Sequence, residues 1–373
     1  MNRAATFEVG ARCGDARTGR VATGRGSFST PCFMPVGTRA GVRAVSTADL
    51  EDLGFEVMLA NTYHLMLRPG METVARLGGI HGFSAWDGQV LTDSGGYQVF
   101  SLGARYDEEG VAFRSVYDGS SHRLTPEDAV AIQAGLGSDI QMVLDVCAPL
   151  PSPVPALREA MELTLRWATR AVGAHRLLAN RGEVVPAIFG IVQGGDDMEL
   201  RTESARATAA LGFDGYGIGG LSVGEPPEVR REALAAALAE LPADRPRYLM
   251  GVGDPAGVVE AIAMGVDMFD CVLPTRLARH GTALTSQGRL SIKRAAFSKD
   301  PGPLDPSCSC PVCHRWSRAY LRHLAMVADP AVLRLLSLHN LAWIFGLISR
   351  ARRAVEEGSL AALAKEVGEV YPV

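Results

Sequence analysis

A chain of 373 residues, 47% hydrophobic and 21% charged, has an ordinary globular composition and enough length to bury a full core. Its opening, MNRAATFEVGARCG, contains no apolar run able to act as a secretion signal, and nothing approaches 18 consecutive apolar residues. The net charge of −4 averages two unlike regions: residues 276–353 hold 13 Lys/Arg and three Asp, a balance of +10, against −14 elsewhere. A basic segment on an acidic body is the footprint of a protein that meets phosphates locally, although a ligand-free basic helix surface has the same composition. The seven cysteines do not form a disulfide framework. Cys13, Cys32, Cys147 and Cys271 stand alone while Cys308, Cys310 and Cys313 cluster, which fits a reducing, cytoplasmic setting and one metal site.

Taken in chain order, short apolar runs recur at Met34–Val36, Val57–Asn61, Val90–Asp93, Ile140–Asp145, Ala187–Gln193, Gly215–Leu221, Tyr248–Gly253 and Met268–Pro274. Between them lie segments with apolar residues at three- and four-residue spacing, among them Thr125–Leu136, Val154–Arg176 and Pro227–Leu241. Strands this apolar are buried on both faces, and eight strand–helix units predict a closed α/β fold, the (β/α)8 or TIM barrel. The dinucleotide-fold alternative is weak: Gly215–Gly220 and Gly251–Gly253 come late and lack an acidic partner at the right distance. Residues 1–33 and 103–122 read as hairpins, the second with a turn at Asp118-Gly119. Residues 281–345 read as an appendage after the last strand, carrying the cysteines and much of the basic charge. Leu341–Ile348 suits a buried helix.

Barrel chemistry sits at the C-terminal ends of the strands. Those ends supply Asn61, Asp93, Asp145, Gln193, Gly220 and Asp270. One such Asp is usually a helix cap or turn former, but three on apolar strands require a task or partners. Asp93 stands in TDSGGYQVF, where Gly95 and Gly96 let a flat ligand approach and Tyr97 offers a stacking face. One carboxylate can attack an anomeric carbon while another handles the leaving base's proton, and a third can accept the N–H edge of guanine. These residues do not say which of Asp93 and Asp270 attacks.

TDSGGYQVF, FGIVQGG (189–195), GIGGLSVGE (217–225), MFDCVLPTRLARHG (268–281) and Cys308-x-Cys310-x-x-Cys313 stand in the order and spacing of bacterial-type tRNA-guanine transglycosylases, and the chain resembles that family from about Phe7 to Val370. The resemblance implies a single barrel domain over 1–373, with a zinc-binding, basic, tRNA-contacting subdomain at 281–345. It implies Asp270 as the nucleophile toward the ribose anomeric carbon and Asp93 as general acid/base. Asp145, Gln193, Gly220 and Leu221 match the base-recognition set, and Tyr97 the stacking aromatic. Cys147 and Val223 match the positions beside the 7-substituent in members that use 7-aminomethyl-7-deazaguanine. Bacterial members usually read Asp-Glu-Cys-Thr there, where this chain has Asp145-Val146-Cys147-Ala148. The implied substrate is the guanine at the first anticodon position of tRNA, in queuosine biosynthesis, and the implied assembly is a homodimer.

Arg276 and Arg279 follow the Asp270 strand and are placed to touch neighbouring nucleotides, or else to pair with the acidic rim. Three thiolates within six residues need one more ligand for tetrahedral zinc, and His314, His323 and His339 are all in reach by spacing. The family pattern selects His339, at the start of the expected helix HNLAWIFGLISR. A complete Cys3His shell has no open position, so a structural zinc is expected. Two rivals remain. A non-catalytic RNA-binding subunit of a transglycosylase heterodimer would lack active-site residues, whereas Asp93 and Asp270 are both present; a zinc deaminase would need an open metal site.

Overall fold

Strands that are apolar on both sides must be covered on both, and this chain closes its parallel strands into a ring with helices outside. The computed structural model describes residues 4–101, 103, 105–222 and 224–372, and for residues 97, 100 and 101 the backbone only. The barrel strands are β1 (Cys32–Met34, continued as Val36–Gly37), β2 (Val57–Asn61), β3 (Gln89–Asp93), β4 (Ile140–Met142), β5 (Ala187–Val192), β6 (Gly215–Ile218), β7 (Arg247–Leu249) and β8 (Met268–Asp270). Each pairs in parallel with the next. β8 returns to the first segment of β1 (Asp270 opposite Met34), and the second segment pairs with β2 (Val36 opposite Leu59). The break falls at Pro35, which has no N–H for the ladder, although its carbonyl still accepts from Leu59 N–H at 3.0 Å. The expected eight-stranded barrel is the fold.

Several expected strands end early. β4 stops at Met142 and β7 at Leu249, so Asp145 and Gly251 lie on loops beyond their strands. The helices start where their caps predict. Thr125 and Asp128 form a reciprocal capping box on Pro126–Gly135, and Val154–Asn180 and Pro227–Glu240 both begin after a proline. Residues 5–30 form a three-stranded meander. Arg105–Asp107, Gly110–Arg114 and Ser121–Leu124 form a second, whose last link carries Gly119 at φ 72°.

The N-terminal meander closes the bottom of the barrel through Arg17. Its fully buried guanidinium donates to Asp267 at 2.9 and 2.6 Å and to the Arg245 carbonyl at 2.7 Å. Asp267 precedes β8 and Arg245 precedes β7, so this ion pair sits at the end opposite the strand C-termini.

After β8 come the helix Leu273–Arg279, a hairpin (Thr282–Thr285 with Gly288–Ser291), two short helices (Pro311–Arg315 and Arg318–Met326) and the long helix Pro330–Glu356. The long helix corrects one boundary: His339 lies mid-helix, because Asp329 caps the start through Ala331 N–H at 2.8 Å and Pro330 supplies the first turn. It runs through residue 345 without a break. It is apolar enough in length and composition to pass for a membrane span, but its apolar residues serve two cores. Leu335 and Leu336 pack with Ala278, Ala283, Val312 and Leu321, while Ile344, Leu347, Ile348 and Val355 join the barrel core.

Candidate active site

The C-terminal strand ends open on a cavity of about 360 Å³, within the usual size range for small-ligand sites. Asp93, Asp145, Cys147, Gln193, Gly220, Leu221, Asp270 and Arg276 all line it. Residues from the third, fourth, fifth, sixth and eighth barrel positions thus share one space, as barrel closure requires of side chains at one rim.

The two carboxylates expected to do chemistry are held differently. Asp93 has both oxygens engaged: Oδ2 accepts from Asn61 Nδ2 at 2.6 Å, and Oδ1 from the N–H groups of Thr62 at 3.1 Å and Gly95 at 3.0 Å. Asp270 has one oxygen engaged: Oδ1 accepts from Tyr248 Oη at 2.6 Å and Gly251 N–H at 2.7 Å. Among the described residues its Oδ2 has no hydrogen-bond donor. Burial pushes Asp93 up to about 7, with the Asp270 charge adding to the rise and its three donors opposing it. Burial likewise raises Asp270, against the pull of Tyr248 and Gly251, and lifts the Tyr248 hydroxyl well above its ordinary range, so that it stays a donor.

Asp145 accepts from Gln193 Nε2 at 2.6 Å, and burial raises it to about 6 against that bond. The amide of Gln193 lies against a glycine pair: a Cβ on Gly220, whose φ is +66°, would stand 2.4 Å from Gln193 Oε1. No other residue type fits there without moving the amide. Behind this set lies Arg201, fully buried and in no ion pair among the described residues. It donates to the carbonyls of Gly195 (2.7 Å), Val192 (3.1 Å), Gly219 (2.7 Å) and Gly220 (3.1 Å), tying the loops after β5 and β6 together. Burial lowers its value to about 10, which leaves it charged at neutral pH.

Arg276 and Arg279 are exposed, and among the described residues neither forms an ion pair. Val223 and the Tyr97 side chain lie outside the described residues. Cys147 faces the cavity. Its neighbour Val146 is buried with Tyr63, Val99 and Leu144, in an apolar cluster rather than on the cavity wall.

The second centre gathers Cys308, Cys310, Cys313 and His339, whose ligand atoms all lie within 4.8 Å of one another. His339 Nδ1 is 3.9, 3.5 and 3.3 Å from the three sulfurs. Tetrahedral zinc with ordinary Zn–S and Zn–N lengths would set these separations at about 3.5 Å. His339 Nε2 donates to the Leu284 carbonyl at 2.7 Å, which leaves the Nδ1 lone pair for a metal. Among the described residues neither His314 nor His323 joins the cluster. The next residue, Asn340, accepts from Leu284 N–H at 2.8 Å and donates to the carbonyls of Pro274 at 2.9 Å and Thr282 at 3.0 Å.

The family model described as Queuine tRNA-ribosyltransferase matches residues 12–373. The chain belongs to that family. Among its relatives of that name, one from Solidesulfovibrio magneticus is 50% identical across 100% of this chain and 99% of its own. One from Desulforudis audaxviator is 52% identical over 92% and 91% of the two chains, and one from Bacillus cytotoxicus 48% over 95% and 93%.

Within this queuine tRNA-ribosyltransferase scaffold, the sequence marks Asn61 and Gln193 but not Tyr248 or Arg201 as supports of the site. Asn61 was visible as a strand end, but its partner was not. Tyr248 opens a run whose alternation places it on the face of Met250, and both line the cavity. Arg201 falls on the buried stripe of Met198–Ala210 with Ala205 and Thr208, a spacing that marks an inward-facing arginine.

Asp93 gives a direct pH prediction. Its value is raised on folding, so the native state binds the proton more tightly, and stability declines as pH climbs from 3.8 through about 7. Carboxyl 13C NMR should show one Asp titrating near 7 that disappears in Asp93→Asn. A midpoint below 5 would mean that the three donors outweigh burial.

Proposed function

We propose that this chain is a tRNA-guanine transglycosylase that exchanges the guanine at the wobble position, 34, of tRNAs with GUN anticodons for 7-aminomethyl-7-deazaguanine, in queuosine biosynthesis. The observation that carries the reading is the asymmetry of the two carboxylates in one cavity. Asp270 is anchored through Oδ1 and keeps Oδ2 for attack, while Asp93 is fully bonded and poised between its protonation states near neutrality. The relatives' name supports the substrate class.

In this reading a guanosine from a single-stranded loop leaves its stack and enters the cavity. Asp145 accepts the N1–H and amino group, while Gln193 and the backbone of Gly220 and Leu221 face the carbonyl edge. Asp270 Oδ2 forms a bond to C1′ as the bond to N9 breaks, and the electron pair passes to the base. Asp93 gives the leaving base its proton. The incoming 7-deazaguanine returns a proton from N9 to Asp93 as N9 attacks C1′ and releases Asp270, so the enzyme ends as it began. Tyr248 and Gly251 stabilise the carboxylate that departs in this second step. Cys147, with Val223, shapes the space for the 7-substituent. Arg276 and Arg279 meet neighbouring nucleotides.

Cys308, Cys310, Cys313 and His339 would hold zinc as a closed structural site, and the metal would supply a cross-link rather than chemistry. Chelation of the native protein should release about one zinc per chain, lower the melting temperature and expose residues 282–345 to protease. A melting curve indifferent to chelator would overturn the assignment.

Asp270→Asn should still bind an anticodon stem-loop but form no covalent RNA adduct on denaturing gels when free base is withheld; a full-strength adduct would move the nucleophile elsewhere. In competition between guanine, 7-aminomethyl-7-deazaguanine and queuine, the aminomethyl base should be incorporated in preference to queuine. Preferential uptake of queuine would refute the substrate assignment.

A further inference from the structure

Around the mouth, β8, β1 and β2 are consecutive, and the segments leaving them carry Arg276 and Arg279, then Arg39, then Arg68, all exposed. The base-recognition residues leave β4, β5 and β6, across the ring. Thr38 lines the cavity and Arg39 is the next residue.

Arg39 and Arg68 are held in an unusual way. Both guanidinium groups lie over the ring of Tyr117, 5.4 and 4.7 Å from its centroid. Arg39 Nε donates to the Tyr117 hydroxyl at 3.1 Å, and His64 Nδ1 is 2.8 Å from the same oxygen. Burial and the Arg39 charge hold His64 below its ordinary range, so its neutral ring can accept from Tyr117. Among the described residues neither arginine has a carboxylate partner. The adjacent Asp118 makes no ion pair with them and bonds Ser120, accepting its N–H at 3.1 Å and its hydroxyl at 2.6 Å; these bonds hold it below its ordinary range, with the nearby Arg68 charge adding to the pull.

Two cations fixed on one neutral ring repel each other unless an anion joins them. Guanidinium forks that are already oriented, at the rim of a cavity and in no ion pair among the described residues, suit a phosphodiester. We propose that Arg39, Arg68 and Tyr117 form a phosphate-binding site for the single-stranded RNA backbone beside the exchanged nucleotide, continuing the basic arc begun by Arg276. This rests on reading the cavity as an RNA-processing site. The backbone then follows the β8–β1–β2 side of the mouth, and the extruded base reaches across it toward Asp145 and Gln193.

The test uses the full-length protein and a fluorescent anticodon stem-loop, with binding followed by anisotropy over a range of salt. Removing both guanidinium groups in Arg39→Ala/Arg68→Ala should weaken binding about tenfold or more near 100 mM salt and reduce the log–log salt slope by about 0.7, the value for one phosphate on a single strand. The Arg39→Lys/Arg68→Lys pair should keep the slope, which also covers the case of an alanine pair that fails to fold. The KM for free base should stay at the wild-type value. Binding and slope unchanged in folded alanine variants would overturn the proposal and reduce the cluster to surface stacking. Wild-type protein that binds the stem-loop but exchanges no labelled guanine would refute the activity; the arginine site would stand if the slope still falls. Wild-type protein that binds no RNA would sink both.

Discussion

The structure depends on three carboxylates, one buried and two half-buried, being held at the barrel mouth by neutral donors among the described residues. Asn61 and two backbone N–H groups serve Asp93, Gln193 serves Asp145, and Tyr248 with Gly251 serves Asp270. Among the described residues no arginine or lysine pairs with any of them. A cation in direct contact would oppose the rise that burial imposes and lower their proton affinity. Amides, a hydroxyl and backbone instead orient them while leaving their proton affinity high. The chain has cations available, but it keeps them on the rim, as with Arg276, or spends them on carbonyls, as with Arg201. At the other end of the barrel a different solution is used: Asp267 is fully buried and takes Arg17 directly, which opposes the rise that burial imposes. One end of the fold is built for permanence and the other for reactivity.

How much of this could be read from the sequence follows from what kind of relation each feature is. The barrel was legible because burial on both faces writes itself into every strand, and because turn and cap signals such as Thr125–Asp128 are local. Asp93 and Asp270 were legible as polar endings to apolar runs. Asp145 was found by the same rule, although β4 stops three residues before it; an apolar run does not separate strand from the buried loop that continues it. Which donor serves which carboxylate was not legible, even where the donor itself, Asn61 or Gln193, stood out as a strand end. Tyr248 reaches Asp270 only because β7 and β8 pair with Tyr248 opposite Met268, and register between strands is absent from either run. The start of the long helix differs from the expected one for another reason: the continuous apolar run begins only at Leu341, whereas the cap is Asp329, twelve residues earlier.

The mouth is divided by function around its circumference. Amides, backbone and a carboxylate capable of reading a flat heterocycle lie on the β4–β6 side, and exposed arginines lie on the β8–β1–β2 side. Asp93 and Asp270 stand where the two halves meet. A nucleotide has the same division, a base on one side of the sugar and phosphates on the other, and the anomeric carbon lies between. The regional imbalance of charge in the sequence, +10 over residues 276–353, is one part of this arrangement. Arg39 and Arg68 belong to it as well but sit in a region whose average charge hides them.

His339 and Asn340 are adjacent on one helix and face different tasks. The first points at the three thiolates; the second bonds the carbonyl of Pro274, in the helix that leads from Asp270 to Arg276 and Arg279. Each residue turns a helix by about 100°. A single insertion between Pro330 and His339 would therefore swing both side chains off target together. The knuckle and the catalytic rim share one rotational register, so neither can drift through evolution, or be redesigned, independently of the other.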